Sequence, residues 1–167
     1  MNRRLVSRFH LPSTMLFVEP AAIRLARPEE IDLLLQLERQ SPTAAHWPRA
    51  HYEAIFQPDA PSRLGLIAES GGLQGFLVAQ TAGPEWELEN IVVAPAARRQ
   101  RMGTQLVRRL LQEARQGHAP SVLLEVRASN AAARAFYGSC GFIEMGVRPR
   151  YYQQPQEDAV ICRCDLA

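Results

Sequence analysis

An α/β domain of three layers, a mixed and mostly antiparallel sheet with helices on both faces, is the fold class this sequence predicts. Three observations carry it. Residues 64–93 hold three strand-like runs separated by tight-turn residues, Ser70-Gly71-Gly72 and Gly83-Pro84, which is the pattern of an antiparallel meander. Residues 103–116 place Leu106, Val107, Leu110, Leu111 and Ala114 on one helical face and Arg108, Arg109, Gln112, Glu113 and Arg115 on the other, so that helix must pack on the sheet. A short apolar strand at 122–127 is followed by the capping types Ser129 and Asn130, a small-residue helix and a stop at Gly141.

The remaining elements follow in order. Residues 22–26 alternate as a first strand, and Pro28 opens a helix whose positive end suits Glu29 and Glu30. Ile31, Leu34, Leu35 and Glu38 keep helical spacing through it. A second short helix at 49–56 follows Trp47-Pro48 and ends at Pro58 and Pro61. The chain closes with a hairpin whose last arm puts Val160, Cys162, Cys164 and Leu166 on one face by period two.

With 167 residues and 47% hydrophobic content, one well-buried domain is expected over residues 21–167. Residues 1–20 read as a flexible N-terminal extension: Arg3, Arg4 and Arg8 precede Leu16-Phe17-Val18, but Glu19 and Pro20 cut that apolar run far below a signal-peptide core. No apolar run approaches the roughly 20 residues of a membrane-spanning helix, and no partnership with a membrane is expected. Nineteen basic against seventeen acidic residues leave a net charge of +2. Without a basic stripe interleaved with aromatics, direct binding of nucleic acid is not expected. Cys140, Cys162 and Cys164 lack the spacing of a zinc site or a disulfide framework, so no metal is expected and a reducing cytoplasm fits.

The chemistry-bearing residues cluster late in the chain. Side chains at the carboxyl end of a strand and on the first turns of the next helix share one crevice in open α/β sheets. Glu125, Asn130 and Tyr137 are therefore candidates to face one ligand. A carboxylate can take a proton from an attacking amine, and a phenol of pKa near 10 can return one to a departing thiolate of pKa about 8.5. That pairing suits acylation of an amine by a thioester. The plainer readings are a strand-end ion pair, a helix cap and a core tyrosine.

A second candidate is the run Arg98, Arg99, Gln100, Arg101, Met102, Gly103 and Thr104, which joins a strand to a helix. Such a junction offers unpaired backbone N–H groups and helix-dipole charge to a phosphate. A solvated basic helix start is the competing explanation.

These residues resemble the GNAT acyl-coenzyme A N-acetyltransferases, and within them the ribosomal-protein alanine N-acetyltransferases. The likeness runs from about Arg24 to the end of the chain. Its most specific part is Leu-Glu-Val-Arg-Ala-Ser-Asn-Ala-Ala-Ala at 124–133 with Tyr137 and Gly141-Phe142; Trp47-Pro48, Asn90-Ile91-Val92-Val93, Arg150-Tyr151-Tyr152 and Glu157-Asp158-Ala159 extend it. The resemblance implies the three-layer GNAT fold and acetyl-coenzyme A as co-substrate. It further implies Glu125 as general base, Tyr137 as general acid and Asn130 as a coenzyme contact. Ile91, Val92 and Val93 would hold the pantetheine arm through their backbone. Residues 98–104 would form the pyrophosphate loop, though Arg101 stands where the family has a glycine. If that position needs a positive φ, an arginine costs about 1 kcal/mol or more.

Glu87 aligns with the strand glutamate that acts as base in the histone-acetylating branch, so it competes with Glu125. Glu85, Glu87 and Glu89 share one strand face by period two and are expected to attract a basic peptide, such as the N-terminus of a ribosomal protein. Tyr151 and Tyr152 match tyrosines beside the peptide groove. The expected protein is a monomer or weak dimer. Two alternatives stay open: acetylation of a small-molecule or lysine amine, and a non-catalytic module that binds the acyl-coenzyme.

Overall fold

The computed structural model describes residues 21–58 and 62–166. The expected extension at 1–20 lies outside them. Seven strands form one sheet: β1 (Ala22–Leu25), β2 (Arg63–Glu69), β3 (Leu73–Ala82), β4 (Glu85–Val93), β5 (Ser121–Arg127), β6 (Ile143–Gln153) and β7 (Gln156–Asp165). Their spatial order is β1-β2-β3-β4-β5-β7-β6. Only β4 and β5 run parallel; every other neighbouring pair is antiparallel. The helices are α1 (Ile31–Arg39), α2 (Arg49–Glu53), α3 (Met102–Gln116) and α4 (Ala131–Ser139).

Period-two burial assigns the faces. Asn90 and Val92 of β4 are buried, and Asn90 reaches Glu38 of α1 and Tyr52 of α2, so this face carries α1 and α2. The alternate residue Val93 comes near Leu106 of α3 around the site of Gly75, which fixes α3 on the opposite face. The apolar stripe expected of α3 is buried together with Met102, and Val160, Cys162, Cys164 and Leu166 are buried as their alternation predicts. Parallel strands need a crossover, and α3 supplies it between β4 and β5.

The sheet opens at its middle. Opposite Val78 and Ala79 of β3, β4 presents Asn90 and Leu88, leaving Glu89 as an extra residue. Such a bulge bends its strand. The β4–β5 ladder runs only through Trp86–Val122, Glu87–Leu123 and Leu88–Leu124. Beyond those pairs the two strands diverge, and the carboxyl halves of β4 and β5 become the walls of a cleft.

Candidate functional site

The cleft at this fork encloses about 890 Å3. One wall is the free edge of β4. Ala94 donates its N–H to Gln74 on the β3 side. In an antiparallel ladder, hydrogen-bonded and non-hydrogen-bonded residues alternate. The peptide groups of Ile91 and Val93 therefore face the fork, and the Val93 carbonyl already accepts a bond from Arg98 Nε at 3.4 Å. Val92 belongs to the other set, and its side chain is buried.

The loop from β4 into α3 completes that wall. Arg99 and Arg101 both have φ of 62°, in the left-handed region. Arg101 thus occupies a conformation that favours glycine, at a strain of about 1 kcal/mol. Arg101 is also the residue before α3, and its side chain makes no cap. The first-turn N–H groups of α3 consequently remain available, at the positive end of a 15-residue helix. A Cβ at Gly103 would lie 3.2 Å from Phe136 Cζ, so glycine here lets α4 close against the start of α3. Arg98, Arg99, Arg101, Met102, Gly103 and Thr104 all line the cleft. Gln100 does not: its amide turns back to the Ala96 carbonyl at 3.1 Å.

The facing wall is β5, α4 and the β6–β7 hairpin. Glu125, Asn130 and Tyr137 line the same cleft, as the strand–cap–helix unit predicts. Asn130 Oδ1 accepts from the Ala133 N–H at 3.1 Å, so its carbonyl caps α4 and only its amide group is left for a ligand. Tyr137 is 7% exposed, with its ring against Phe136 and Phe142. Burial pushes its phenol well above the usual value, which keeps it protonated and able to donate. Glu125 Oε1 lies 2.7 Å from Arg148 Nη1. The neighbouring Glu125 carboxylate, with burial, pushes the Tyr151 phenol up to about 12.

The acidic row divides. Glu85 is tied down by Ser121 at 2.6 Å and Arg163 at 3.4 Å and lies outside the cleft wall. Glu87 and Glu89 do line it. Glu87 accepts from Gln80 Nε2 at 3.3 Å. Glu89 has its pKa raised, first by burial, against the opposing pull of Arg63 at 3.4 Å.

Two groups were not singled out from the sequence. Arg148 gives no local signal, because its partner Glu125 lies across an intervening strand. Glu38 showed only helical spacing, yet it is 2% exposed. It accepts from the Asn90 amide at 2.8 Å and from the Trp47 N–H at 3.1 Å, tying α1 and the segment before α2 to the fork strand.

Among the described residues no cluster of three or more His, Cys, Asp or Glu side chains is arranged to hold a metal ion. No helix there is long and apolar enough to cross a membrane.

Comparison with known proteins adds sequence kinship to this geometry. A profile described as the Acetyltransferase (GNAT) family matches residues 31–142. The [ribosomal protein bS18]-alanine N-acetyltransferase of Escherichia coli is 39% identical over 97 residues, an alignment that takes in 57% of this chain and 66% of that enzyme. N-alpha-acetyltransferase RimI of Mycobacterium tuberculosis is 38% identical over 124 residues, covering 71% of this chain and 75% of the relative. In three dimensions, the crystal structure of the ribosomal-protein-S18-alanine N-acetyltransferase from Escherichia coli superposes with a TM-score of 0.74 at 29% identity, covering 88% of this chain and 94% of the other.

Proposed function

The chain belongs to the acetyltransferase (GNAT) family, and from that premise we propose that it transfers acetyl from acetyl-coenzyme A to the α-amine of a protein N-terminus, an alanine of a basic ribosomal protein in the cytoplasm. One observation carries the reading. A strand edge with unpaired peptide groups and an uncapped helix start face a carboxylate and a buried phenol across a single cleft.

The residues suit the coenzyme part by part. The Ile91 peptide group and the Val93 N–H are open to the amides of an extended pantetheine arm, and the α3 start with Arg98, Arg99 and Arg101 offers N–H groups and positive charge to a pyrophosphate. The coenzyme supplies an acetyl group activated as a thioester. Across the fork, Glu125 accepts the proton that the α-amine loses as it attacks, while the Tyr137 hydroxyl is the proton donor for the leaving sulfur. Peptide N–H groups of the free β4 edge stabilise the negative charge on the acetyl oxygen. Transfer is direct, within a ternary complex.

Magnitudes favour an N-terminus over a lysine. An α-amine has a pKa about 8 and a lysine about 10.4, so freeing lysine at neutral pH costs roughly 3 kcal/mol more. A modest base is adequate for the first task. Glu87 and Glu89 on the opposite wall suit a peptide with arginines behind its N-terminus.

The test is an acceptor panel with acetyl-coenzyme A: peptides starting with alanine and rich in arginine, the same peptides with a blocked N-terminus and an internal lysine, and small amines. Acetylation confined to free N-termini, read by mass spectrometry, supports the proposal. Preference for the lysine or small-amine acceptors overturns it.

A further inference from the structure

The Glu125 carboxylate is engaged in this structure by Arg148, which comes from one irregular stretch of β6 that also carries Tyr151. Arg148 pairs with Ala159 of β7 and Tyr152 with Glu157, four steps along β6 against two along β7. The two surplus residues make a bulge. It is pinned where the Arg150 N–H, at a φ of 52°, donates to Asp158 Oδ1 at 2.8 Å. The bulge turns Arg148 and Tyr151 onto Glu125, and the Arg148 guanidinium also lies over the Tyr151 ring, 5.1 Å from its centre.

The two sides of this ion pair differ in setting. The Glu125 side chain is 15% exposed and that of Arg148 54%. A carboxylate so far withdrawn from water is costly without a cation beside it. An arginine meets that need without reacting, because it keeps its proton at any physiological pH. It is held from the solvent side by a long side chain on an edge strand, with an aromatic face to rest on when the carboxylate is taken.

We propose that Arg148 is a cationic placeholder at the acceptor site: it neutralises Glu125 until the acceptor's α-ammonium takes its position on the carboxylate. The inference rests on the α-amine reading above. One cation replaces another, so the carboxylate is at no stage uncompensated. The incoming ammonium gives its first proton to Glu125, which Arg148 cannot do, and Glu125 passes it to solvent. The freed lone pair then attacks the thioester carbon, and Glu125 takes the second proton as the C–N bond forms and the C–S bond breaks, releasing it in turn to solvent. The amide product carries no charge, so Arg148 regains the carboxylate and the product loses its anchor. Arg148 thereby selects for acceptors that arrive as cations and against retention of acetylated ends.

Calorimetry of the protein saturated with coenzyme A decides it, using a hexapeptide with a free N-terminal alanine and two arginines, and the same peptide acetylated at its N-terminus. With no competitor to displace, Arg148→Met should bind the free-amine peptide about fivefold tighter, the factor for losing one half-exposed ion pair. Its affinity for the acetylated peptide should stay unchanged. Arg148→Gln should behave likewise, which guards against a misfolded Met variant, and Arg148→Lys should stay within about twofold of the parent. Equal tightening for both peptides, unchanged affinity, or weaker binding of the free amine overturns the placeholder. A parent protein that binds and acetylates the peptide while the variants show no tightening defeats the placeholder alone. A parent that acetylates no free N-terminus defeats the α-amine reading itself.

Discussion

The two walls of the cleft are built by opposite means. The β4–α3 wall presents backbone: a strand edge left unpaired by divergence, and a helix start left uncapped by a left-handed Arg101. The β5–β6 wall presents side chains, Glu125, Tyr137 and Tyr151, drawn from three separate elements, with Arg148 paired to Glu125 beside them. Backbone groups suit a coenzyme whose amides and phosphates are invariant. Side chains suit proton transfer and discrimination among acceptors, where a single substitution retunes the result.

Perturbing each wall should expose this division. The largest effect is expected on the side-chain wall. Glu125→Gln should lower kcat about 10²- to 10³-fold, the usual scale for general-base loss, with coenzyme affinity held within about twofold by calorimetry. Glu87→Gln in the same assay should cost less than about tenfold; a reversed order would move the base onto the backbone wall. Tyr137→Phe comes next, with kcat down by roughly 10- to 100-fold. Its ring contacts with Phe136 and Phe142 survive the change, so the melting temperature should stay within a few degrees.

On the backbone wall, Gly103→Val inserts bulk where even a Cβ would sit 3.2 Å from Phe136. A destabilisation of about 1–3 kcal/mol is expected from overpacking, together with weaker coenzyme binding. A normal melting curve with normal affinity would deny Gly103 its packing role. The smallest effect belongs to Arg101→Gly. Relief of a left-handed arginine should leave stability level or raise it by up to about 1 kcal/mol, while the lost cation weakens coenzyme binding a few-fold. A fall in stability would mean that the arginine side chain holds the loop.

The same division explains what was legible before any coordinates. The phosphate-loop candidates are contiguous, and of residues 98–104 all but Gln100 line the cleft. Glu125, Asn130 and Tyr137 belong to one strand–cap–helix unit, so their convergence follows from local geometry. The ranking of the acidic row was not legible. Period two put Glu85, Glu87 and Glu89 on one face, but Ser121 and Arg163 claim Glu85, and those partners sit on β5 and β7.

By itself, the sequence determined the helices, the strands, their buried faces and the order of the chemical groups along the chain, because periodicity, capping and turn chemistry act over a few residues. Only the tertiary structure decided that β7 lies between β5 and β6, that the bulge at Glu89 precedes the opening of the sheet beyond Leu88 and Leu124, and that Arg148 covers the carboxylate of Glu125. Each of these joins residues far apart in the chain. Strand register and the reach of a side chain are settled by what lies across the sheet, which no local pattern encodes.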